Sequence, residues 1–201
     1  KDSELGRIPK SWEVAKLGAV SSRITDGTHQ AVKTTPDGTI PFLYVSCVKD
    51  QSILWEKSAY ISEQEYSKAS QGRQPNIGDI LYTSVGSYGN AALVAEDKQF
   101  CFQRHIALIQ LSPKKIFPKF METFLVSNIA KKQADKLAVG NAQLTVTLGE
   151  LRKFEILLPP VNEQREICQF LQPINDKLAK TKLKLEQLIS LKKSLMQDLL
   201  T

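Results

Sequence analysis

The stretch Leu158-Pro159-Pro160-Val161-Asn162-Glu163-Gln164-Arg165-Glu166-Ile167 divides this chain in two. Before it, short apolar runs alternate with Gly, Asn, Asp and Pro. After it there is no glycine and one proline, Pro173, as far as Thr201. Asn162 is placed to cap a helix whose first turns carry Glu163, Gln164 and Glu166. Leu171, Ile174, Leu178, Thr181, Leu185, Leu188, Lys192, Leu195 and Leu199 then step alternately by three and four. That is an a/d heptad seam with two polar interruptions, Thr181 and Lys192. Pro173 predicts a kink near the start of the helix. At 1.5 Å per residue such a helix runs about 55–60 Å, whereas the radius of gyration expected for the preceding part is about 15 Å. A helix that long outruns its own domain, so pairing with another helix is favoured over packing back.

Working backwards from the diproline, Phe154 to Leu158 reads as a strand. Phe117, Phe120, Met121, Phe124, Leu125 and Ile129 recur at helical spacing, with Pro118 at a first helical position and Gly140 beyond the end. Phe100 to Leu111 gives one long strand or two short ones. Ala91 to Ala95 and Ile80 to Val85 are further strands, separated by the loop Gly86-Ser87-Tyr88-Gly89-Asn90. Ile61 to Tyr66 is a short helix, with Ser62 as its cap and Glu65 closing a capping box. Phe42 to Val48 is a strand by composition, and Pro36-Asp37-Gly38 a turn. Ser11 is placed to cap a turn carrying Trp12, Val14 and Leu17. The expected fold is α+β: a mixed domain over residues 1–158, then a long helix over 159–201 forming a coiled coil.

The composition sets limits on function. With 201 residues, 42% hydrophobic and 24% charged, the chain can bury a core, which excludes disorder as its main state. No run approaches the roughly 18–20 apolar residues that span a bilayer. The first residues, Lys1-Asp2-Ser3-Glu4-Leu5, lack the apolar stretch of a signal peptide. They also lack an initiator methionine, so a chain trimmed at this end is expected. Cys47, Cys101 and Cys168 stand far apart, and His29 and His105 stand alone. No zinc site is expected, and the thiols suit a reducing, cytoplasmic setting.

Enzyme signatures are sparse. There is no G-x-G-x-x-G and no Walker A loop. Leu158 precedes the diproline where an amino-methyltransferase needs Asp, Asn or Ser, since leucine accepts no hydrogen bond from a target amine. Asp79 with Glu96-Asp97-Lys98 fits the spacing of a Mg²⁺ nuclease, in which two carboxylates hold metal and a lysine orients water. The triplet also reads as a plain hairpin turn.

A polyanion-binding reading is more coherent. The net charge is +6. Residues 72–134 carry Arg73, Lys98, Arg104, Lys114, Lys115, Lys119, Lys131 and Lys132 against four acids. Three polar loops interleave with them, at 25–30, 84–90 and 140–143. Their Thr, His, Ser, Tyr, Asn and Gln side chains suit directional contacts to base edges, and lysine supplies phosphate attraction. Ordinary solvated turns would look the same by composition.

The order of motifs resembles the DNA-specificity (S) subunit of type I restriction-modification systems. Ile8-Pro9-Lys10-Ser11-Trp12-Glu13 with Leu17-Gly18 is similar to that family's opening. Thr25-Asp26-Gly27-Thr28-His29 is similar to a later loop, and Gly78-Asp79-Ile80-Leu81-Tyr82-Thr83-Ser84-Val85-Gly86 to a hairpin. Gly140-Asn141-Ala142-Gln143 with Leu148, the junction at 158–167 and the segment 191–201 complete the series. The resemblance implies a target recognition domain that binds double-stranded DNA, followed by a spacer helix. It implies a chain with no catalytic residues, no metal and no cofactor of its own. S-adenosylmethionine, ATP and Mg²⁺ then belong to methyltransferase (M) and restriction (R) partner subunits.

The family's usual subunit has two such domains and two helices. One of each here implies a fragment, or a half-subunit that forms a homodimer through Leu171, Ile174, Leu178, Leu185, Leu188, Leu195 and Leu199. Expected DNA contacts are Thr28, His29, Lys33, Ser84, Ser87, Tyr88, Asn90, Lys98, Arg104, His105, Lys114, Lys115, Asn141 and Gln143. Among them Tyr88 and Arg104 are expected at bases, and Lys33, Lys98, Lys114 and Lys115 at phosphates. The other readings are a Mg²⁺ nuclease on Asp79, Glu96 and Lys98, and a coiled-coil adaptor without DNA affinity.

Overall fold

A computed structural model describes every residue except Pro113, Lys114 and Thr201. In chain order the elements are β1 (Asp2–Ser3), β2 (Gly6–Arg7), β3 (Glu13–Lys16), α1 (Leu17–Val20), β4 (Ser21–Asp26), β5 (Ile40–Leu43), β6 (Val48–Lys49), β7 (Ser52–Ile53) and β8 (Ala59–Ile61). There follow α2 (Glu63–Ala69), β9 (Ile80–Thr83), β10 (Ala91–Leu93), β11 (Cys101–Phe102), β12 (Ile106–Leu111), α3 (Pro118–Leu125), α4 (Asn128–Leu137), α5 (Leu148–Arg152), β13 (Glu155–Leu158) and α6 (Val161–Leu200). This is a mixed α/β domain followed by a long C-terminal helix. The chain separates into two compact units, Lys1–Gln164 and Arg165–Thr201.

The first unit is organised around the antiparallel sheet β10-β9-β12-β4. β9 and β12 are apolar at successive positions because both faces of that sheet are covered. Ile80, Tyr82, Ala91, Ala107 and Ile109 face one core, with Met121, Phe124, Leu151 and Phe154. Leu81, Ala92, Ile106 and Leu108 face a second core, with Leu43, Val48, Phe100 and Phe102. A one-residue slip of β12 against β9 would exchange the two faces. The register that prevents it pairs Ile106 with Thr83 and Ile109 with Ile80. Tyr82 and Phe154 meet edge to face at 6.2 Å in the first core. The three-stranded sheet β11-β5-β8 closes the second side.

Several expected boundaries shift for identifiable reasons. Residues 13–16 form β3 because they pair with β13, Val14 opposite Leu157 and Ala15 opposite Ile156; Ser11 caps no helix there. The 42–48 segment breaks at Tyr44 into a 3₁₀ turn, Val45–Cys47, before β6. Phe100–Leu111 is two strands. The helical stretch after Phe117 is also two pieces, because Ser127 Oγ accepts the Ala130 N–H and starts α4 afresh. That helix ends at Ala138 in extended conformation, so Gly140 is not its cap. Instead Gly140, at φ +115°, turns the loop that returns Thr145 to Val139. Ser62 caps α2 as expected, accepting the Glu65 N–H. The Glu65 carboxylate does not reach back, and takes the Lys33 N–H and Lys68 instead.

The second unit is helix alone. α6 begins at Val161, two residues earlier than an Asn162 cap requires, with the Gln164 N–H donated to the Pro160 carbonyl. It continues through Pro173 as a single element. Ile174, Leu178, Leu185, Leu188, Leu195 and Leu199 are each half or more exposed. Among the described residues no helix is long and apolar enough to cross a membrane.

Candidate nucleic-acid interface

Four segments far apart in sequence, around 26–29, 84–86, 102–105 and 143–147, converge at the end of the central sheet. β4 delivers Asp26 beside β12, Asp26 pairing with Ala107. The chain then passes Gly27 at a place where no side chain fits. A Cβ there would lie 2.1 Å from the Phe102 carbonyl oxygen. That close approach lets the Thr28 N–H reach the Phe102 carbonyl at 2.9 Å and the Arg104 N–H reach the Thr28 carbonyl at 3.1 Å. The glycine is therefore a packing requirement of this corner.

The segments around 84–86 and 144–146 are tied in by backbone bonds as well. The Ser84 N–H donates to the His105 carbonyl, and the Val146 N–H donates to the Ser84 carbonyl. Val85 bridges Thr145, and the Gly86 N–H donates to the Leu144 carbonyl. Gly86 sits at φ +70°, the left-handed geometry that this tight turn needs.

The result is an open cleft of about 390 Å³ lined by Asp26, His29, Ser84, Arg104, His105 and Gln143, with Thr145 and Thr147 at its wall. Arg104 and Gln143 are exposed, and His105 is half-buried. His29 Nε2 and Asp26 Oδ2 stand 2.7 Å apart, so the carboxylate orients the imidazole. The Arg104 Nε–H points at His105 Nε2 at 3.5 Å, too long to be strong. A guanidinium fork, two imidazoles and an amide thus face one opening, with a single carboxylate already engaged. These groups offer donors and acceptors matched to base edges and phosphate oxygens.

The other expected contacts are distributed differently. Thr28 and Ser84 are buried. The Thr28 hydroxyl accepts the Gln30 N–H, and the Ser84 hydroxyl donates to the His105 carbonyl, so both hold the corner together. Ser87 and Asn90 close the 83–90 turn: the Ser87 carbonyl accepts from Thr83 Oγ1 and from Asn90 Nδ2. Tyr88 points toward α4. Its hydroxyl donates to Asp135 Oδ1 at 2.9 Å and its ring lies 4.4 Å under the Lys131 ammonium. Lys131 and the Tyr88 hydroxyl hold the Asp135 carboxyl below its ordinary range, while the Asp135 bond raises the Tyr88 phenol. Asn141 is exposed on the 140–143 turn. Lys33 and Lys115 are exposed and do not line the cleft. Lys98 lies with its ammonium 4.3 Å over the Trp55 ring. Lys114 lies outside the described residues.

The nuclease constellation does not assemble. Asp79 is buried, and its Oδ2 accepts the Asn76 N–H at 2.8 Å and the Gln110 amide at 3.0 Å. It fixes the turn into β9, while Lys98 stacks on Trp55. Among the described residues no group of three or more His, Cys, Asp or Glu side chains stands ready to hold a metal ion.

One buried polar residue has a role that its sequence position did not reveal. Gln164 is fully buried. Its Oε1 accepts the Phe117 N–H at 2.8 Å, and its Nε2 donates to the carbonyls of Lys115 and Pro159 at 3.1 and 2.9 Å. One amide therefore locks the diproline, the turn before α3 and the first turn of α6 together. Next to it the Trp12 indole N–H donates to Glu163 Oε1 at 2.9 Å. A Glu-Gln pair just after a helix start was readable as capping polarity; its inward direction was not.

Comparison with known proteins identifies the family and matches the fold. The family model described as the type I restriction modification DNA specificity domain matches residues 9–189. The type I restriction enzyme MjaVIII specificity subunit of Methanocaldococcus jannaschii is 26% identical over 206 residues, covering 100% of this chain and 48% of its own length. The type I restriction enzyme EcoBI specificity subunit of Escherichia coli is 26% identical over 168 residues, covering 81% of this chain and 34% of its own. The HsdS subunit from Thermoanaerobacter tengcongensis superposes with a TM-score of 0.65 at 18% identity, over 90% of this chain and 46% of that one. This chain spans about half the length of the MjaVIII subunit and about a third of the EcoBI subunit.

Proposed function

Because this chain belongs to the type I restriction modification DNA specificity domain family, we propose that it selects the DNA target of a type I restriction-modification complex. Residues 1–158 act as a target recognition domain and residues 159–201 as a spacer helix. The domain reads one half of a bipartite site in double-stranded DNA. The observation that carries this reading is the cleft in which Arg104, His29, His105 and Gln143 meet from three separate segments. Arg104 and Gln143 engage base edges, His29 is held ready by Asp26, and Lys33, Lys98, Lys114 and Lys115 engage phosphates. Tyr88, braced on α4, flanks them. The turn residues Thr28, Ser84, Ser87, Asn90 and Asn141 hold or border the reading edge.

The chain performs no catalysis in this scheme. It docks M and R subunits, which carry S-adenosylmethionine, ATP and Mg²⁺, and it works inside the cell. A second copy supplies the other half-site through α6, so that two identical domains read a palindromic split sequence.

The test is a methylome. The chain is expressed with its methyltransferase partner in a host free of adenine methylation, and modified adenines are mapped. The expected result is a split motif with a fixed gap and two identical inverted halves. A motif with two different halves would replace the homodimer by a missing second domain. Methylation independent of this chain, or none in the presence of a co-purifying complex, would overturn the specificity role.

A further inference from the structure

The cleft also has an apolar wall, which bears on base choice on the premise that the cleft meets DNA. Thr145 bridges Val85 on one side and Val139 on the other, both antiparallel. Cross-strand partners share a face of a sheet, so the three side chains form one row. Val85 and Thr145 line the cleft. Val139 continues the row outward and is 54% exposed. The Thr145 hydroxyl donates within its own loop, to the Gln143 carbonyl at 3.4 Å. What the row offers to the opening is therefore methyl groups.

Backbone bonds hold this row in place. The Val139 N–H donates to the Thr145 carbonyl at 2.9 Å, and the Thr145 N–H returns to the Val139 carbonyl at 2.8 Å. On the other side the Gly86 and Val146 N–H groups donate to the Leu144 and Ser84 carbonyls. Gly140 closes the tip so tightly that a Cβ there would lie 2.5 Å from the Gln143 carbonyl oxygen. The Gln143 side chain is placed as closely: a Cβ on Gly86, the residue after Val85, would lie 3.1 Å from its Nε2. A carboxamide and a row of methyl groups thus stand side by side on one preformed wall. A single exposed valine is ordinary surface, whereas a rigid row ending against a carboxamide is a shaped one.

In the major groove one base pair presents that combination. Adenine shows N7 and the N6 amine, which a carboxamide meets with two hydrogen bonds, and the thymine across from it shows its C5 methyl. A cytosine in the thymine's place would present an amine donor, for which the methyl row has no acceptor. Asp26, the carboxylate of the cleft, already holds His29. We infer that Gln143 and the row Val85, Thr145 and Val139 read a single A·T pair together, the amide on adenine and the row on the thymine methyl.

The test is binding of the full chain, co-purified with its methyltransferase partner, to duplexes carrying the motif that the methylome defines. Each thymine is replaced in turn by uracil, which removes one methyl group and leaves base pairing intact. At one thymine per half-site the wild type should bind about fourfold more weakly, the contribution of one buried methyl group. Val139→Ser keeps the backbone bonds and should lower that preference to below about twofold. Gln143→Ala should relax discrimination at the same base pair. Uracil without effect at every thymine, an effect undiminished in Val139→Ser, or relaxation by Gln143→Ala at a different pair would each overturn the inference and leave target recognition standing. A complex with no preference for the motif over unrelated DNA would instead sink target recognition, and this reading of the wall with it.

Discussion

The two units of this chain solve the problem of apolar surface in opposite ways. In Lys1–Gln164 the apolar residues of β9 and β12 are covered on both faces, and even polar Gln164 and Asp79 are buried with their partners satisfied. In Arg165–Thr201 a seam of leucine and isoleucine at heptad spacing is left half exposed or more. The first unit carries what it needs to fold. On the proposed pairing, the second carries half of what it needs, and its stability belongs to a pair. Substitutions in the domain should therefore act at any protein concentration, while substitutions in the seam should act through association.

The largest effect tests that contrast directly. Phe154→Ala removes a fully buried ring packed on Tyr82 and should destabilise the domain by about 3–5 kcal/mol. The loss should be the same at low and high protein concentration in denaturant titrations. Leu185→Ala should leave the domain's transition in place and lower only the concentration-dependent one. A concentration-dependent loss in Phe154→Ala would mean that the domain is not self-sufficient.

Gln164 stands at the border between the units and comes next. Gln164→Leu keeps the volume but strands the Phe117 N–H and the Lys115 and Pro159 carbonyls, at a cost of about 2–4 kcal/mol. Thermal melts should show the loss in the domain transition. If instead only the dimer weakens, Gln164 serves the helix more than the domain.

These two residues also show how far the sequence alone could be read. Phe154 was legible as the start of a strand, and the a/d steps after Leu171 were legible as a seam, because both rest on local periodicity. β4 was not legible: Ser21–Asp26 has no apolar run and is a strand because β12 pairs with it. The inward turn of Gln164 was equally hidden, since it depends on the Phe117 N–H forty-seven positions away. In the cleft, the three polar loops and the residues Arg104, His29 and Gln143 stood out by composition. Their convergence did not, because it depends on the Thr28–Gln103 and Val85–Thr145 bridges. Lys98 was read as a phosphate contact, and its perch on Trp55 required the fold.

Within the domain, a change in the cleft should separate binding from folding. Arg104→Ala should weaken target binding by about 1–3 kcal/mol per half-site and relax one base position. Its side chain is exposed, so the melting temperature should not move. Competition binding against single-base variants of the methylated motif measures the relaxation. Unchanged discrimination at every position would remove Arg104 from readout.

The smallest effect links the two units through arithmetic. Lys98 holds its ammonium over Trp55, which limits the freedom lost when the charge meets a phosphate. Lys98→Ala should weaken DNA binding uniformly across sequences, unlike Arg104→Ala. Each phosphate contact adds about 0.9 to the slope of log affinity against log salt concentration. A single half-site should therefore lose about 0.9 of slope in Lys98→Ala, and an intact bipartite site about 1.8 if, as proposed, two copies bind there. A loss of about 0.9 on both substrates would mean that one domain binds at a time, and the seam of α6 would then not join two readers on one DNA. No change on either would place Lys98 outside the interface, as a side chain that only packs on Trp55.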